Sequence, residues 1–385
     1  MDRRRFLTNS VSMPAAVASA EPAATGKISL REKFFGCIVG AHLGSAFGAP
    51  VEGWSYEDIE KKYGTVDRLY PYQHHNNGWD RAAGTTEDGV ERQKLMITAI
   101  IEKKDRVTAE DVRKIWVRDI NPESVAMIVT AFEPVLVQMA KSGIPANDLG
   151  RYCDFAGLNA FARACHPIGL INAGDLEGAV SDVFEVGQLY QTSNSRGLQW
   201  AACTGIAIAA ATKPNATVDS VIGAVLDGDP RFAKPVGGDR VKAEIERGLK
   251  ATEKCQDFRE LRKALRDIYS TKGVTYALAS APEVVVRGLC AFRMVKGVLK
   301  DAMIAGANMG RDTDCVTAVA SGISGALSGA GSIPEEWIKQ ADNATNINPY
   351  TNNKRTLRQS SDGLYEAYRA RLGRMRAFAG QMEEA

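Results

Sequence analysis

Acidic side chains that precede apolar helices are the residues of this sequence best suited to chemistry. Asp312 and Asp314 flank Thr313, just before the apolar stretch 316–327, which is rich in alanine, glycine and serine. Because small side chains allow close packing, we expect this stretch to lie inside the protein. Buried carboxylates are costly unless a cation or hydrogen bonds compensate them. The pair therefore indicates a site for a cation.

Two further acidic positions have similar surroundings. Thr86, Glu87 and Asp88 begin a second apolar helix, and Glu52 follows the short segment 47–51. Oxygen ligands that come from separate helix starts suit Mg²⁺ or Mn²⁺. Each acidic cluster taken alone could instead cap its own helix or complement the helix dipole. Taken together, the three positions favour a buried carboxylate cage around two cations.

Helical periodicity runs through almost the whole chain after residue 29, and strand-like alternation is nearly absent. The sequence therefore predicts an all-α fold, organised as a single orthogonal multi-helix domain over residues 29–385. The longest irregular segment is predicted at 64–84. The main predicted helices lie near residues 34–44, 88–103, 108–119, 122–141, 177–191, 196–212, 239–252, 257–270, 282–299, 315–328 and 360–380.

The N-terminus is predicted to direct export. Arginines at positions 3–5 precede Phe6 and Leu7, and a weakly apolar stretch then ends in Ala18-Ser19-Ala20. This pattern resembles a twin-arginine export signal over residues 1–20, followed by an alanine- and proline-rich linker, 21–28. We expect a periplasmic or secreted protein, or a cytoplasmic one if the N-terminus is only a basic tail.

Composition argues against several kinds of partner. The net charge is +2, and without residues 1–20 the basic and acidic side chains number 45 each. A neutral body without a basic run gives no electrostatic footprint for nucleic acid. No apolar run approaches the roughly 18–20 residues that span a bilayer, so no membrane partner is expected. The seven scattered cysteines form no CxxC pair, which favours buried, inert thiols over disulfides or a zinc site.

Three motifs, in this order, resemble those of the ADP-ribosylglycohydrolase family. They are Gly44-Ser45-Ala46-Phe47-Gly48-Ala49-Pro50-Val51-Glu52, Thr86-Glu87-Asp88, and Asn308-Met309-Gly310-Arg311-Asp312-Thr313-Asp314. The family patterns read approximately Gly-Asp-Ala-x-Gly-x-Pro-x-Glu, Thr-Asp-Asp and Gly-Gly-Asp-Thr-Asp. The similarity spans about residues 30–340. Arg163, followed by Pro167 and Gly169, is also similar to a central family segment.

The resemblance implies a hydrolase with a binuclear magnesium centre, for which Mn²⁺ is the alternative metal. Its substrate would be a small ADP-ribosyl or ribosyl compound, cleaved at an N- or O-glycosidic bond. Glu52 and Asp88 would be the catalytic carboxylates. We expect Arg311 and Asn308 to contact the substrate, with a surface ion pair as the alternative for Arg311. By position, the metal ligands would be Thr86, Glu87, Asp88, Asp312 and Asp314.

Four residues depart from the family pattern near this site, and one of them is Arg311, which replaces a glycine. Ser45 and Glu87 stand where the family usually has aspartate, and Cys315 replaces a threonine that commonly helps to bind metal. Because a thiol is a poor ligand for Mg²⁺, we expect one metal to be weaker, replaced by Mn²⁺, or absent. The alternative to a hydrolase is therefore a non-catalytic ligand-binding or structural relative. The oligomeric state stays open.

Overall fold

The computed structural model of the protein describes residues 28–73, 79–121, 123–124, 132–153, 155–193, 195–228, 241–271 and 278–384. Within these ranges the chain forms seventeen α-helices and one small antiparallel sheet, so the predicted all-α fold is confirmed. The strands are β1 (Tyr72–Gln73) and β2 (Asp80–Arg81). The helices are α1 (Leu30–Gly48), α2 (Tyr56–Tyr63), α3 (Asp88–Lys103), α4 (Ala109–Asp119), α5 (Phe132–Lys141), α6 (Ala146–Leu149), α7 (His166–Ile171), α8 (Leu176–Val186), α9 (Arg196–Ala211), α10 (Val218–Asp227), α11 (Val241–Ala251), α12 (Phe258–Arg266), α13 (Ala281–Met294), α14 (Leu299–Ala307), α15 (Thr313–Ser328), α16 (Glu335–Ile347) and α17 (Leu357–Glu383).

Helices with strong local signals lie where the sequence predicts them. α4 begins one residue after the predicted start because Thr108 and Asp111 form a reciprocal capping box around its first turn. The prediction misses six helices, which are α2, α6, α7, α10, α14 and α16. All except α16 have fewer than three turns, which gives too little apolar periodicity. α16 is longer, but it buries only Ala341, Ala344 and Thr345.

Some predictions lie wholly or partly outside the described residues. Of the predicted helix near 122–141, the structure describes α5 from Phe132 onward. The predicted export signal, 1–20, lies outside the described residues, as does all of the linker 21–28 except its last residue. Both stay predictions.

A stripe of glycines on α1 lets α15 pack directly against it. The glycines are spaced four residues apart, at Gly36, Gly40, Gly44 and Gly48. A Cβ atom on Gly40 would lie 2.1 Å from the carbonyl oxygen of Ser321, and one on Gly48 would lie 2.4 Å from the backbone nitrogen of Asp314. Because no real side-chain carbon approaches so closely, only glycine allows this contact. The predicted burial of the small-residue stretch 316–327 is confirmed as far as Ala326.

Hydrogen bonds fix the register of these two helices. The hydroxyl of Thr313 donates to the carbonyl oxygen of Gly48 at 2.8 Å, and the hydroxyl of Ser321 donates to that of Gly40 at 2.6 Å. The first turn of α15 is thereby held against the end of α1. The aspartates around Thr313 consequently lie beside the turn that carries Glu52.

The segment Leu30–Val51, which is α1 with the turn after it, is long and apolar enough to cross a membrane. This finding corrects the expectation that no apolar stretch approaches that length. However, 94% of its apolar window is buried inside the protein. The packing of a central core helix therefore accounts for its composition.

Candidate metal centre and active site

Asp312 and Asp314 lie together at the start of α15, with exposed fractions of only 5% and 2%. In each, the buried Oδ1 atom accepts no hydrogen bond from any residue that the structure describes. One carboxylate oxygen from each aspartate and the Sγ atom of Cys315 all lie within 4.8 Å of one another. Buried oxygens without partners need compensation by positive charge. This group of side chains therefore fits a cation.

The electrostatics of the group lead to the same conclusion. Burial raises the pKa of Asp314 to about 8, and the charge of Asp312 contributes to the increase. Burial also raises the pKa of Asp312, with a further contribution from the carboxylate of Glu52. The pKa of the Cys315 thiol lies well above its ordinary value, again chiefly because of burial. A bound cation would favour the charged form of all these groups.

Helix capping does not explain two of these acids. Asp312 and Glu87 occupy the N-cap positions of α15 and α3, yet neither side chain accepts a capping hydrogen bond. Ser29, at the same position of α1, does accept one. Asp88 and Asp314 lie in the first turns of their helices, where a negative charge complements the helix dipole.

Glu52 lies in the turn after α1, and backbone hydrogen bonds hold this turn against the loop before Asp312. The amide of Gly53 donates to the carbonyl oxygen of Arg311, and the amide of Arg311 donates to that of Trp54, both at 2.8 Å. Arg311 has a φ of +65°, a conformation that non-glycine residues adopt rarely. These contacts bring Glu52 into the electrostatic range of Asp312.

Asp88 is held by two arginines. Nη2 of Arg163 donates to its two carboxylate oxygens at 2.8 and 2.7 Å, and Nη2 of Arg92 donates to Oδ2 at 2.8 Å. Nη1 of the same Arg163 lies 3.6 Å from Oδ2 of Asp314. Arg163 thus joins the two acidic clusters that the sequence predicts to meet.

Sequence analysis missed the roles of Arg163, Arg92 and Asn159. The side-chain amide of Asn159 donates to Oδ2 of Asp312 at 2.7 Å. Arg92 follows Asp88 by four residues on a helix, and this spacing could have revealed the pair. For Arg163 and Asn159, no local pattern indicates a partner so far away in the chain.

Thr86 and Glu87, both predicted as metal ligands, are engaged by protein side chains. The hydroxyl of Thr86 donates to Oε1 of Glu91 at 2.6 Å. Oε1 of Glu87 accepts a hydrogen bond from the hydroxyl of Tyr72 at 2.5 Å and pairs with Arg81 at 2.8 Å. Their assignment as ligands stays a prediction, and these contacts do not favour it.

The two residues predicted to contact substrate have different surroundings. The fully buried amide of Asn308 exchanges hydrogen bonds with the backbone of Val66, at 2.9 Å in each direction, and also donates to Ile304. Substrate contact by Asn308 therefore has no support in this geometry. Arg311 forms an ion pair with Glu283, at 2.7 and 3.0 Å. An ion pair is the alternative expected for Arg311 from the sequence, although its partner Glu283 is buried and does not lie at the surface.

A cavity of about 320 Å³ opens beside the loop that carries Arg311. Its walls combine aromatic rings with guanidinium groups and the carboxylate of Glu57. The three arginines are paired with glutamates, Arg266 with Glu57 and both Arg287 and Arg311 with Glu283. Its lining includes Gly53, Trp54, Tyr56, Arg266, Arg287 and Arg311.

An all-α fold that holds a buried carboxylate group at the start of a small-residue helix defines the class of this protein. The chain belongs to the ADP-ribosylglycohydrolase family, whose model matches residues 26–371. It is similar to an uncharacterized protein of Archaeoglobus fulgidus, with 25% identity over 318 residues, 80% of this chain and 92% of the relative. It is also similar to the uncharacterized protein YegU of Escherichia coli, with 23% identity over 358 residues, 86% of this chain and 99% of the relative.

A solved structure, described as an ADP-ribosylglycohydrolase-related protein complex, shares the fold. Its TM-score to this protein is 0.60 at 16% sequence identity, and the match covers 89% of this chain and 98% of that one.

Proposed function

We propose that the protein is a cation-dependent hydrolase that cleaves an N- or O-glycosidic bond of an ADP-ribosyl or ribosyl compound. The observation that carries this proposal is the pair of buried carboxylate oxygens on Asp312 and Asp314, next to the turn of Glu52, for which the described residues provide no hydrogen-bond partner. Membership of a glycohydrolase family supports the same reaction class.

Asp312 and Asp314 are the residues that would hold a divalent cation. The family resemblance suggests Mg²⁺, with Mn²⁺ as the alternative. When bound, such an ion polarises substrate oxygens and lowers the pKa of water. A second ion has less support, because Asp88 already accepts hydrogen bonds from Arg163 and Arg92.

The side chains of the protein have separate roles in this proposal. Glu52 would transfer a proton or orient water at the anomeric carbon, where positive charge develops. Asp88, the second predicted catalytic residue, holds Arg163 toward Asp314. Arg311 lines the neighbouring cavity, where an anionic part of the substrate would have to compete with its ion pair to Glu283.

A non-catalytic, ligand-binding role is the second candidate. It is favoured by the protein partners of the acids in the second motif, since Arg163 pairs with Asp88 and Arg81 with Glu87. Such pairs compensate buried charge without a metal.

An activity screen with Glu52→Gln tests the first proposal. The wild type should release free sugar from at least one member of a panel of ADP-ribosyl and ribosyl N- and O-glycosides. At saturating cation, Glu52→Gln should lower kcat/KM by about 10²–10⁴-fold, because the proton-transferring group is lost. Glu336→Gln is the control, since Glu336 is exposed on α16.

Two results would contradict the proposal. Wild-type turnover by Glu52→Gln would show that Glu52 does not transfer the proton or orient the water in the reaction. No turnover of the whole panel by cation-loaded protein would favour the non-catalytic candidate.

A further inference from the structure

Cys315 adds a sulfur atom to the two carboxylates at the start of α15. Its Sγ atom and one oxygen from each of Asp312 and Asp314 lie within 4.8 Å of one another. Zinc binds sulfur at about 2.3 Å and carboxylate oxygen at about 2.0–2.2 Å. Three donors in so small a space can therefore bind the same ion after small side-chain rotations.

A second observation indicates that a ligand belongs there. The Oδ1 atoms of Asp312 and Asp314 are buried and have no hydrogen-bond partner among the described residues. Within the described part of the chain, Arg163 is also the one cation within 4 Å of either carboxylate, and its Nη2 group is bound to Asp88. The charge of the two aspartates is thus compensated only in part.

We propose that Asp312, Asp314 and Cys315 bind one thiophilic divalent ion of the zinc class, with the Cys315 sulfur as a direct ligand. This inference deepens the proposed function and rests on its cation site, but not on its chemistry. It departs from both the pair of magnesium ions implied by the family resemblance and the inert thiols expected from the sequence.

The chemical nature of the donors selects the ion. Mg²⁺ prefers an octahedral shell of oxygen atoms and keeps several waters, whereas thiolate ligands select softer ions such as Zn²⁺. A sulfur atom at this position weakens magnesium binding and strengthens zinc binding. Cobalt(II), which also accepts sulfur and nitrogen ligands, can report on the same site through its absorption.

The arginines set the number of ions at one. In a binuclear site, Asp88 would contribute to the second ion, but Arg163 and Arg92 together donate three hydrogen bonds to its carboxylate. Nη2 of Arg163 donates to both carboxylate oxygens and Nη2 of Arg92 to one of them, and such hydrogen bonds between charged groups are strong. Arg163 therefore supplies the positive charge that a second metal ion would otherwise bring.

Ion binding requires a balanced proton transfer. The S–H bond of Cys315 breaks, its proton leaves to solvent, and the sulfur electron pair forms the bond to the metal. Oxidation states do not change. A measurable release of protons should accompany binding.

Titration of the metal-free full chain with Co²⁺ tests the inference. We expect one equivalent per chain, a thiolate-to-cobalt charge-transfer absorption, and displacement by Zn²⁺. Mg²⁺ should bind about 100-fold more weakly than Co²⁺, or worse. In Cys315→Thr the charge-transfer absorption should disappear and the preference for Co²⁺ over Mg²⁺ should fall below about tenfold. Cys290→Ser, at another buried thiol, should behave as the wild type.

Other outcomes overturn the inference. Cobalt binding without charge-transfer absorption would exclude the sulfur ligand, and two equivalents in the wild type would exclude the role of Arg163. Because the wild type alone gives these results, a poorly folded variant does not weaken the test. A protein that shows the absorption but hydrolyses no glycoside would keep this inference and lose the proposed function. A protein that hydrolyses a glycoside with Mg²⁺ but shows no charge-transfer absorption with Co²⁺ would keep the proposed function and overturn this inference.

Discussion

At the scale of single residues, the least compensated group in the described structure is the carboxylate pair of α15. Asp314 is 2% exposed, and burial together with Asp312 raises its pKa to about 8. Its nearest described cation, Arg163, is shared with Asp88. Without a cation Asp314 therefore holds a proton at neutral pH, and the charged forms of the two buried acids need positive charge beside them.

Replacement of Asp314 by asparagine should separate binding from stability. Asp314→Asn keeps the shape of the side chain but removes a charge that would ligate the ion. Divalent-cation affinity, measured by calorimetric titration, should fall about 100-fold or more. The melting temperature of the metal-free variant should not fall, because the repulsion between Asp312 and Asp314 is removed while Arg163 keeps its hydrogen bonds to Asp88. Asp301→Asn, at the first turn of α14, is the matched control. Unchanged cation affinity in Asp314→Asn would place the ion elsewhere.

Replacement of Arg163 should have the opposite effect on stability. Arg163→Gln leaves Asp88 and Asp314 without their shared cation, and the loss of one partner of a buried ion pair costs about 3–5 kcal/mol. Urea denaturation of the metal-free protein measures this change. Added divalent ions should restore part of the loss. Arg151→Gln, whose side chain is 70% exposed and pairs with Asp148, should change stability by less than about 0.5 kcal/mol. An equally small change in the free energy of unfolding in both variants would show that Arg163 does not stabilise Asp88 and Asp314.

At the scale of helices, the α1–α15 contact positions the whole site. The glycine stripe allows backbone contact, and Thr313 and Ser321 set the register. Displacement of α15 would move Asp312 and Asp314 relative to Glu52. Packing between two helices and the chemistry at their ends are therefore coupled.

A methyl group in this contact should destabilise the protein. Gly40→Ala places a Cβ atom 2.1 Å from the carbonyl oxygen of Ser321, so the helices must separate. We expect a loss of about 1–3 kcal/mol in the free energy of unfolding, and weaker cation binding. Gly373→Ala, on exposed helix surface of α17 with no atom within 4 Å of its Cβ, should instead stabilise by about 0.5–1 kcal/mol. Equal stability of the two variants would show that α15 does not depend on this contact.

A buried histidine links three helices and should make the fold sensitive to acid. His166, at the start of α7, contacts the carbonyl oxygen of Ala318 on α15 at 3.0 Å and the amide of Gln93 on α3 at 3.3 Å. Burial lowers its pKa from 6.5 to about 4. The imidazole of His166 therefore takes up a proton at a higher pH in the unfolded chain than in the folded chain.

The sign of this effect follows from linkage. The contribution of His166 to stability is complete above pH 6.5 and is lost as the pH falls toward 4, by an amount on the order of 3 kcal/mol. Urea denaturation at several pH values should show this slope in the wild type. His166→Gln should reduce it, since glutamine keeps the hydrogen bonds without the titration. The same slope in both proteins would assign the acid sensitivity to other groups.

At the scale of the whole molecule, local signals account for what the sequence predicts well. A capping box defines α4, and long apolar periodicity defines α3 and α15. Three ordered motifs locate Glu52, Asp312 and Asp314. The role of Arg163 could not be predicted, because its acidic partners lie 75 and 151 positions away in the chain. The amide of Asn308 looks like a ligand contact in sequence, but it bonds to Val66, 242 positions away.

The predicted N-terminal export signal would determine in which compartment the metal site binds its ion. A twin-arginine pathway exports folded proteins, so an ion bound through Cys315 would be loaded before export. All seven cysteines lie in the described residues, and no two of them form a disulfide there. Transport of an already folded chain would keep Cys315, which is only 4% exposed, protected from oxidation on arrival.

Export after ion binding can be tested in a host that has the twin-arginine pathway. We expect the exported protein to begin at Glu21, as determined by N-terminal sequencing, and to contain its metal ion on isolation. Simultaneous Arg3→Lys and Arg4→Lys, which keeps the charge and replaces the pair that precedes Arg5-Phe6-Leu7, should retain the protein in the cytoplasm, whereas Arg5→Lys should not. An exported chain that still begins at Met1 would contradict the cleavage site. Export of the double variant would contradict the pathway, and the ion would then have to bind outside the cytoplasm.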